Sequence, residues 1–288
     1  MVFVGLLLLA YCPDIVLTQH YYEDYDDTNS QIMEMYQKFG SHLFASPDYE
    51  SGVRVANWYA RSGVNPEELG NYVEGDIVFP NNISMARNGI VTLSSKWPHG
   101  IIPYTIAGRF SQTDLQTLKW AFAEYARLTC IKFVPRVNEL DYIYIANDRE
   151  GCYSAVGRVG GAQKINLQSP GCAQRGTVIH ELMHVVGFFH EHTRWDRNRY
   201  VTIDYRNIIP GHEVNFEKVK RKNTNTFNVD YDYRSIMHYS ETAFSRNGNP
   251  TIVAKVPGVS MGQRIHFSKK DVKKIRRMYK CARGRSYL

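Results

Sequence analysis

The sequence lacks any apolar run long enough to cross a bilayer, because even its first twelve residues are too short for that. It also lacks cysteine pairs in CxxC spacing, since its 5 cysteines are widely separated. A zinc site built from cysteines is therefore not expected, because such sites usually place two of their ligands close together in sequence. No nucleic-acid recognition motif accompanies the 35 lysine and arginine residues, so the sequence does not predict DNA or RNA binding either.

Charge is divided unevenly along the chain. Residues 1–87 contain 4 basic and 12 acidic residues, a net charge of −8, whereas residues 88–288 contain 31 basic and 16 acidic residues, a net charge of +15. The two parts should attract each other, as an acidic pro-segment attracts the basic enzyme that it covers, although a solvated acidic tail would have the same composition. With 288 residues and 43% hydrophobic content, the chain can bury a substantial core.

The first residues, MVFVGLLLLAYC, form a short apolar run that is typical of the h-region of a signal peptide. We assign residues 1–18 to this peptide, although no clear small-x-small cleavage site marks its end. A buried N-terminal strand is the alternative, but a polar, acidic tract follows the run. The predicted product is exported, without Cys12 and without a membrane span.

The most informative stretch is residues 180–191, HELMHVVGFFHE. On a helix, His180 and His184 lie about one turn apart and can bind the same metal ion. Gly187 can adopt the left-handed conformation that ends a helix, and the reversed chain can then bring His190 to the same ion. Three protein ligands leave the fourth position of zinc open for water, as in catalytic zinc sites.

Glu181 follows the first histidine and can take a proton from that water, whose pKa zinc lowers to about 7. A bare HExxH motif arises by chance in many helices. The glycine and the third histidine at the required spacing are much harder to produce by accident. The stretch therefore predicts one Zn²⁺ per chain and a hydrolytic centre.

HELMHVVGFFHE and the following HTRWDRNRYV resemble the zinc signature of the astacin family of metalloendopeptidases, within the metzincin group. Glu191, directly after the third histidine, is the residue that points to astacins. Asn198 departs from the family's usual RxDRD continuation at a supporting position. The resemblance covers about residues 70–281 and implies an α+β fold with two lobes. A twisted mixed sheet with helices is expected before the zinc helix, and a mostly irregular lobe with a terminal helix after it.

YVEGDIVF, residues 72–79, resembles the FxGD inhibitory motif of astacin pro-segments, with Val73 in place of phenylalanine. The resemblance implies that Asp76 ligates the zinc in the zymogen and that Gly75 lets the backbone approach the ion. An ordinary Gly-Asp turn is the alternative. Asn82 begins the only N-glycosylation sequon, in the same pro-segment.

Asn88 begins NGIVTLSSKWPHGIIPYTI, which resembles the start of mature astacins. We therefore assign residues 19–87 to an acidic pro-segment and residues 88–288 to the catalytic domain, with activation by a trypsin-like protease that cleaves after Arg87. In the family, the new amino terminus is buried beside the glutamate that follows the third histidine, which is Glu191 here. An exposed helix-capping carboxylate is the alternative for this residue.

Local patterns predict several helices and strands. A capping box and apolar residues at helical spacing predict a helix over 111–129, and the zinc helix is expected over 177–188, buried on most sides. A second capping box, Ser268 with Asp271, predicts a terminal helix that reaches about residue 279. The stretch 31–39 is moderately helical. Runs of β-branched or aromatic residues predict strands, at residues 131–134, 142–146 and 165–167.

Four cysteines follow Arg87, which favours two disulfides in an exported protein, with three possible pairings. The resemblance selects one of these pairings, Cys130–Cys281 with Cys152–Cys172.

Three further residues take their roles from the resemblance. YDYRSIMHYS is similar to the family's Met-turn, which implies that Met237 lies beneath the three histidines and that Tyr239 reaches the metal. On substrate binding, this tyrosine would move away from the metal and hydrogen-bond the oxyanion. Arg264 corresponds roughly to the wall of the primed-side pocket, where a cation favours acidic residues just after the scissile bond. An ordinary surface arginine is the alternative.

Together these motifs predict a secreted, monomeric zinc endopeptidase without appended modules, made as a zymogen and acting on protein or peptide substrates. A zinc-binding protein without activity is one rival, but it would be expected to have lost Glu181 or a histidine, and neither is lost. The other rival is charge-driven binding to acidic matrix or glycans through the basic part of the chain.

Overall fold

The structure, a computed structural model, describes residues 48–79, 96–221 and 225–282. The predicted signal peptide, the stretch 31–39, the sequon at Asn82 and the cleavage position at Arg87 lie outside the described residues. Among those that are described, no helix is both long and apolar enough to cross a membrane.

The part of the chain that the structure describes contains both α-helices and strands, and four of the strands follow one another between the second and third helices. In order, the helices and strands are α1 Tyr49–Ala56, β1 Ile101–Ile106, α2 Gln112–Leu128, β2 Lys132–Pro135, β3 Tyr142–Ala146, β4 Cys152–Ser154, β5 Ala162–Leu167, α3 Arg175–Val186, β6 Val201–Ile203, β7 Ile252–Ala254 and α4 Lys269–Met278.

The first five strands form one mixed sheet, in the order β2-β1-β3-β5-β4. The pairs β1–β2, β1–β3 and β3–β5 are parallel, whereas β4 is antiparallel to β5. Helix α3 packs against α2 and β4. This arrangement places α3 beside the edge of the sheet that β4 forms, and it confirms the predicted α+β class.

Two helices begin where their capping boxes predict. Ser111 Oγ accepts from the backbone N–H of Asp114 at 3.2 Å, and the Asp114 carboxylate accepts from the Ser111 N–H at 3.0 Å. The pair Ser268 and Asp271 makes the same reciprocal bonds at the start of α4, at 2.9 and 3.0 Å. These caps satisfy backbone donors that a helix start otherwise leaves unpaired.

Helix α3 is buried on all sides, where the sequence predicted burial on most of them. Every residue from Gly176 to Val186 is buried, and the helix lies within the main hydrophobic core. Its carbonyl groups also receive side-chain donors. The Trp97 indole N–H donates to Val185 O at 2.9 Å, and the Tyr125 hydroxyl donates to Ile179 O at 2.8 Å. The core therefore fixes the rotation of the helix that carries the first two predicted zinc ligands.

The chain after α3 forms a second lobe with little regular structure, as predicted. It contains the two-stranded sheet β6–β7, short 3₁₀ turns and α4, and its own apolar cluster includes Phe216, Tyr231 and Tyr239. A disulfide joins Cys130 to Cys281 and another joins Cys152 to Cys172, which is the pairing that the resemblance implies. The first ties the end of α2 to the residues after α4.

Some boundaries and elements differ from the predictions. Helix α3 ends at Val186 rather than at residue 188, because Gly187 already has a left-handed φ of 121° and caps the helix. The strand predicted over 131–134 lies one residue later, and the one predicted over 165–167 is only the second half of β5. The patterns did not predict α1, β1, β4, β6 or β7.

Candidate active site

Helix α3 and the turn that follows it position the three predicted ligands. His180 and His184 lie on one face of the helix, with ring centroids 4.9 Å apart. At Gly187 the backbone N–H donates to His184 O at 2.8 Å, and the chain reverses. The His190 ring then lies 4.8 Å from that of His184 and 5.1 Å from that of His180. All three rings are buried.

The three rings converge on the carboxylate of Asp76, which is also buried. Asp76 Oδ2 lies 3.0 Å from His180 Nε2 and 3.3 Å from His190 Nε2, and its Oδ1 lies 3.4 Å from His184 Nε2. One atom from each of these four residues can be chosen so that all four atoms lie within 4.8 Å of one another. Burial alone would raise the pKa of Asp76, but the charges of His190 and His184 outweigh burial and hold it well below its usual value.

The hydrogen bonds of the Nδ1 atoms determine which ring nitrogen of each histidine faces the centre of the cluster. His180 Nδ1 lies 2.8 Å from Ile236 O, and His184 Nδ1 lies 2.7 Å from Phe188 O. Because a carbonyl oxygen only accepts, each of these Nδ1 atoms must carry the proton, and each Nε2 presents a lone pair to the centre. His190 Nδ1 faces Glu74 Oε2 at 2.9 Å.

The donor set fits a zinc ion. Asp76 Oδ1 and His184 Nε2 are buried and have no hydrogen-bond partner among the described residues. Buried polar atoms without partners are costly, and such atoms at the centre of a cluster are accounted for by a bound ion. Three imidazole nitrogens and one carboxylate oxygen are the ligand types and the number that zinc prefers.

Glu181 lies next to this cluster on α3 and is fully buried. Neither of its carboxylate oxygens has a hydrogen-bond partner in the part of the chain that the structure describes. Burial, and next the charge of Asp76, raise the pKa of Glu181 well above its usual value. A carboxyl group in this state can exchange a proton with a reacting group instead of being held in a structural ion pair.

Tyr239 and Met237 lie in the buried segment 235–240, between β6 and β7 in the chain. The Tyr239 hydroxyl donates to the backbone carbonyl of Glu74, and its ring centroid lies 4.6 Å from that of His190. The Met237 side chain is buried within the main core, and its backbone carbonyl accepts from the N–H of Glu191 at 2.9 Å. Both residues thus lie close to the chain that carries the third histidine.

Glu191 is a buried carboxylate in a network of ion pairs and hydrogen bonds. Its Oε1 accepts from Arg194 Nη1 at 3.1 Å and from the N–H of Asp232 at 2.9 Å, and its Oε2 pairs with Lys274 Nζ. Burial alone would raise the pKa of Glu191, but Lys274 and then Arg194 hold it below its usual value. The alternative of an exposed capping carboxylate is excluded. The expected partner, the amino terminus at Asn88, lies outside the described residues.

Arg264 is not an ordinary surface arginine, because its side chain is only 8% exposed. Its Nε donates to Glu67 Oε1, and its Nη1 donates to His238 O at 3.0 Å. The neighbouring Glu68 accepts from Ser240, through the backbone N–H and the hydroxyl, both at 2.6 Å. Two adjacent carboxylates of the leader, the described segment 48–79, thus pair with residues near the histidine cluster.

The leader also adds main-chain bonds at the edge of the sheet. The N–H of Ser154 in β4 donates to Asp76 O at 2.8 Å, and the N–H of Val78 donates to Ser154 O at 3.0 Å. Ile77 pairs with Ser154 in the parallel direction and is completely buried. The segment that carries Asp76 is therefore held by backbone bonds beside the cluster.

The sequence patterns missed four residues at this site, namely Glu67, Glu68, Glu74 and Lys274. Each is a charged residue whose partner lies far away along the chain, up to 197 residues in the case of Glu67 and Arg264. Lys274 lies within a run of basic residues, and such a run usually indicates a solvent-exposed face. Only Glu74 had a usable signal, because it lies inside the motif that contains Asp76.

Residues 89–280 match the sequence profile of Astacin, a peptidase family. The chain is 42% identical over 223 residues to zinc metalloproteinase nas-13 of Caenorhabditis elegans, in an alignment that covers 77% of this chain and 49% of that protein. It is 41% identical over 264 residues to the astacin-like metalloendopeptidase of Mus musculus, which covers 89% of this chain and 58% of that one. The chain thus spans about half the length of these relatives.

A solved structure is similar as well. High choriolytic enzyme 1 (HCE-1), a hatching enzyme zinc-protease from Oryzias latipes, matches with a TM-score of 0.61 and 41% sequence identity, over 66% of this chain and 95% of that chain. The matched range of this chain, residues 89–280, contains the three histidines, Glu181 and Tyr239, whereas Asp76 precedes it.

Proposed function

Because the chain belongs to the astacin family of peptidases, we propose that it is a zinc-dependent endopeptidase that hydrolyses peptide bonds of extracellular proteins and is made as a zymogen. The observation that carries this proposal is the convergence of one nitrogen from each of His180, His184 and His190 on a single point that Asp76 also reaches. The carboxylate of Glu181 beside that point has no hydrogen-bond partner among the described residues, which supports a catalytic rather than a structural site.

The three histidines would hold the zinc ion. When bound, zinc would supply a Lewis acid that polarises the scissile carbonyl and lowers the pKa of water to about 7. Glu181 takes a proton from the attacking water and later donates it to the leaving amine, a role that its burial beside the cluster suits. Tyr239 donates its hydroxyl to the oxygen on which negative charge develops.

In the uncleaved chain, we propose that the leader blocks this chemistry at two places. Both oxygens of Asp76 lie among the histidine nitrogens, where substrate and water would have to bind. The hydroxyl of Tyr239 is bonded to Glu74 O and is not available to an oxyanion. Cleavage after Arg87 by a trypsin-like protease would release the block, and Asn88 would become the amino terminus that joins Glu191.

We propose that Arg264 binds an acidic side chain of the substrate just after the scissile bond. In the structure, the carboxylate of Glu67 pairs with Arg264 and is completely enclosed, with a side-chain exposure of 0%. A carboxylate of the leader thus occupies the place that an acidic substrate side chain would take. Charge-assisted bonds between guanidinium and carboxylate groups are strong and geometrically specific.

Export of the protein as a monomer is also part of the proposal. Two disulfides, Cys130–Cys281 and Cys152–Cys172, suit an oxidising compartment, and residues 1–18 read as a signal peptide. The exposed side of α4 carries Lys269, Lys273 and Arg277, which supports additional contacts with acidic matrix or glycans.

The test compares the chain and its Glu181→Ala variant, each treated with trypsin and then incubated with a peptide library, with and without a zinc chelator. Trypsin must be inhibited before the library is added. We expect chelator-sensitive cleavage by the wild type, with acidic residues enriched after the cut, and none by the variant. Chelator-resistant cleavage, or equal cleavage by both proteins, would overturn the proposal.

A further inference from the structure

The outer partner of His190 differs in kind from those of the other two histidines. His180 and His184 are oriented by backbone carbonyls at Ile236 and Phe188, which belong to the part of the chain that carries the site. His190 Nδ1 instead faces the side chain of Glu74, 116 residues earlier, at 2.9 Å. The third histidine therefore has its outer partner on the leader that cleavage would remove.

Glu74 is held at three points. Its backbone N–H donates to Asn215 Oδ1 at 3.1 Å, its carbonyl accepts from the Tyr239 hydroxyl, and its carboxylate lies against His190. The side chain is 8% exposed. All three of its polar groups are thus paired with residues near the cluster, although Glu74 does not face the centre itself.

The backbone at Glu74 indicates that this side chain is needed there. Its φ is 49°, in the left-handed region, where a residue with a Cβ is disfavoured by roughly 1 kcal/mol. Glycine or asparagine would adopt this conformation more easily. A glutamate at such a position is best accounted for by the contact that its carboxylate makes.

The chemistry of the contact is that of an outer-shell carboxylate. A metal-bound imidazole usually donates its second N–H to a carbonyl or a carboxylate, and this bond fixes the ring and raises the basicity of the nitrogen that binds the metal. A carboxylate does so more strongly than a carbonyl, because it is charged. Asp76 and Glu74 thus reach opposite sides of the His190 ring, Asp76 at Nε2 and Glu74 at Nδ1.

We propose that Glu74 is a positioning residue that orients His190 and strengthens its bond to the metal, so that the leader supplies an outer partner of the zinc as well as Asp76. This inference rests on the proposed zinc site. If Glu74 acts in this way, the uncleaved chain binds its metal more tightly than it would if Asp76 were the only contribution of the leader. After removal of the leader, His190 keeps its place on the chain but loses this partner.

The experiment measures zinc affinity in the full chain by competition with a chromogenic chelator. The variants are Glu74→Ala, Glu74→Gln and, as the matched control, Glu68→Gln, which changes a buried leader carboxylate that bonds Ser240 and Asn65 but no histidine among the described residues. Loss of an outer partner typically costs 10- to 100-fold in metal affinity. We expect a loss of about this size for Glu74→Ala, a smaller one for Glu74→Gln, which keeps an acceptor oxygen, and no change for Glu68→Gln.

A second measurement separates positioning from general loosening of the leader. The visible spectrum of the cobalt(II)-substituted chain reports on ligand geometry, and it should change in Glu74→Ala but not in Glu68→Gln. Equal zinc affinities and equal spectra for these two variants would overturn the inference and leave the proposed zinc site intact. A wild-type chain that holds no stoichiometric zinc would instead overturn the proposed function itself.

Discussion

Among the described residues, Glu181 combines full burial with two carboxylate oxygens that have no hydrogen-bond partner. Glutamine has the same shape but cannot take a proton. In the Glu181→Gln variant, we therefore expect kcat/KM after trypsin treatment to fall by about 10²- to 10⁴-fold, the range typical of a lost general base. The measurement is hydrolysis of a fluorogenic peptide. Zinc content should equal that of the wild type, and a variant that keeps more than a tenth of the activity would contradict the assigned role.

Lys274 shows how a single residue can stabilise the second lobe. Its ammonium group pairs with Glu191 deep in the protein, where its side chain is 6% exposed, whereas Lys273 on the same helix is exposed. Removing one partner of a buried ion pair typically costs 3–5 kcal/mol, because the other charge stays buried. Since Arg194 still faces Glu191, we expect Lys274→Met to lower the free energy of unfolding by about 3 kcal/mol, at the low end of this range.

Lys273→Met is the matched control for this prediction and should change stability by less than about 0.5 kcal/mol, as surface substitutions usually do. Denaturant unfolding of both variants, followed by tryptophan fluorescence, measures the difference. If the two variants were equally stable, the ion pair between Lys274 and Glu191 would not contribute as the structure indicates.

At the level of elements, the turn after α3 decides whether the third histidine reaches the other two. Gly187 has a φ of 121°, and a Cβ at this position would lie 2.7 Å from Met278 Cε in α4. We expect Gly187→Ala to destabilise the protein by about 2–4 kcal/mol, from backbone strain and from the contact with α4. Zinc affinity should also fall, because the displaced turn carries His190.

Gly211→Ala provides the control, since Gly211 also has a left-handed φ, of 92°, but a Cβ there would meet no atom of the described residues within 4 Å. This variant should show the backbone cost alone, about 1 kcal/mol, with unchanged zinc affinity. Thermal unfolding and chelator competition on both proteins test the pair. If the two variants lost equal stability and equal zinc affinity, the packing of Met278 on the turn would be unimportant.

Local signals predicted the elements that have local causes. The capping boxes at Ser111 and Ser268 mark true helix starts, because both partners lie within one turn. Strand β4 could not be recognised, since it has only three residues and is defined by its neighbour β5. Strand β1 contains Pro103, a residue that argues against a strand, yet Pro103 pairs with Val134 in the sheet.

The candidate site also combines residues that local sequence patterns predict with residues that such patterns do not predict. The spacing of the histidines and of Gly187 is local, so the zinc cluster could be predicted from one short stretch. The contacts of Glu67 with Arg264 and of Glu191 with Lys274 join charged residues 197 and 83 positions apart. A sequence pattern gives no sign of such partners, because isolated charged residues usually face solvent.

At the scale of the whole molecule, the leader contacts both lobes and the centre. Glu67 pairs with Arg264, Glu68 with Ser240, Asp76 with the histidines, and Ile77 with the edge strand β4. Because the leader is part of the same chain, these contacts form at a high effective concentration. Cleavage would make the interaction bimolecular, and the leader could then dissociate.

A synthetic peptide of residues 65–79 should therefore inhibit the trypsin-activated protein, but only at concentrations that replace the lost chain connection. The peptide contains no lysine or arginine, so residual trypsin cannot cleave it. With Asp76→Asn, the peptide loses the charged group that the three histidines surround. We expect its Ki to rise at least about tenfold, since removing one charge-assisted bond costs about 1.5–3 kcal/mol. A scrambled peptide of the same composition tests for unspecific effects of its acidic charge. If all three peptides inhibited equally, the inhibition would come from attraction between the acidic peptide and the basic protein, and not from binding of Asp76 among the three histidines.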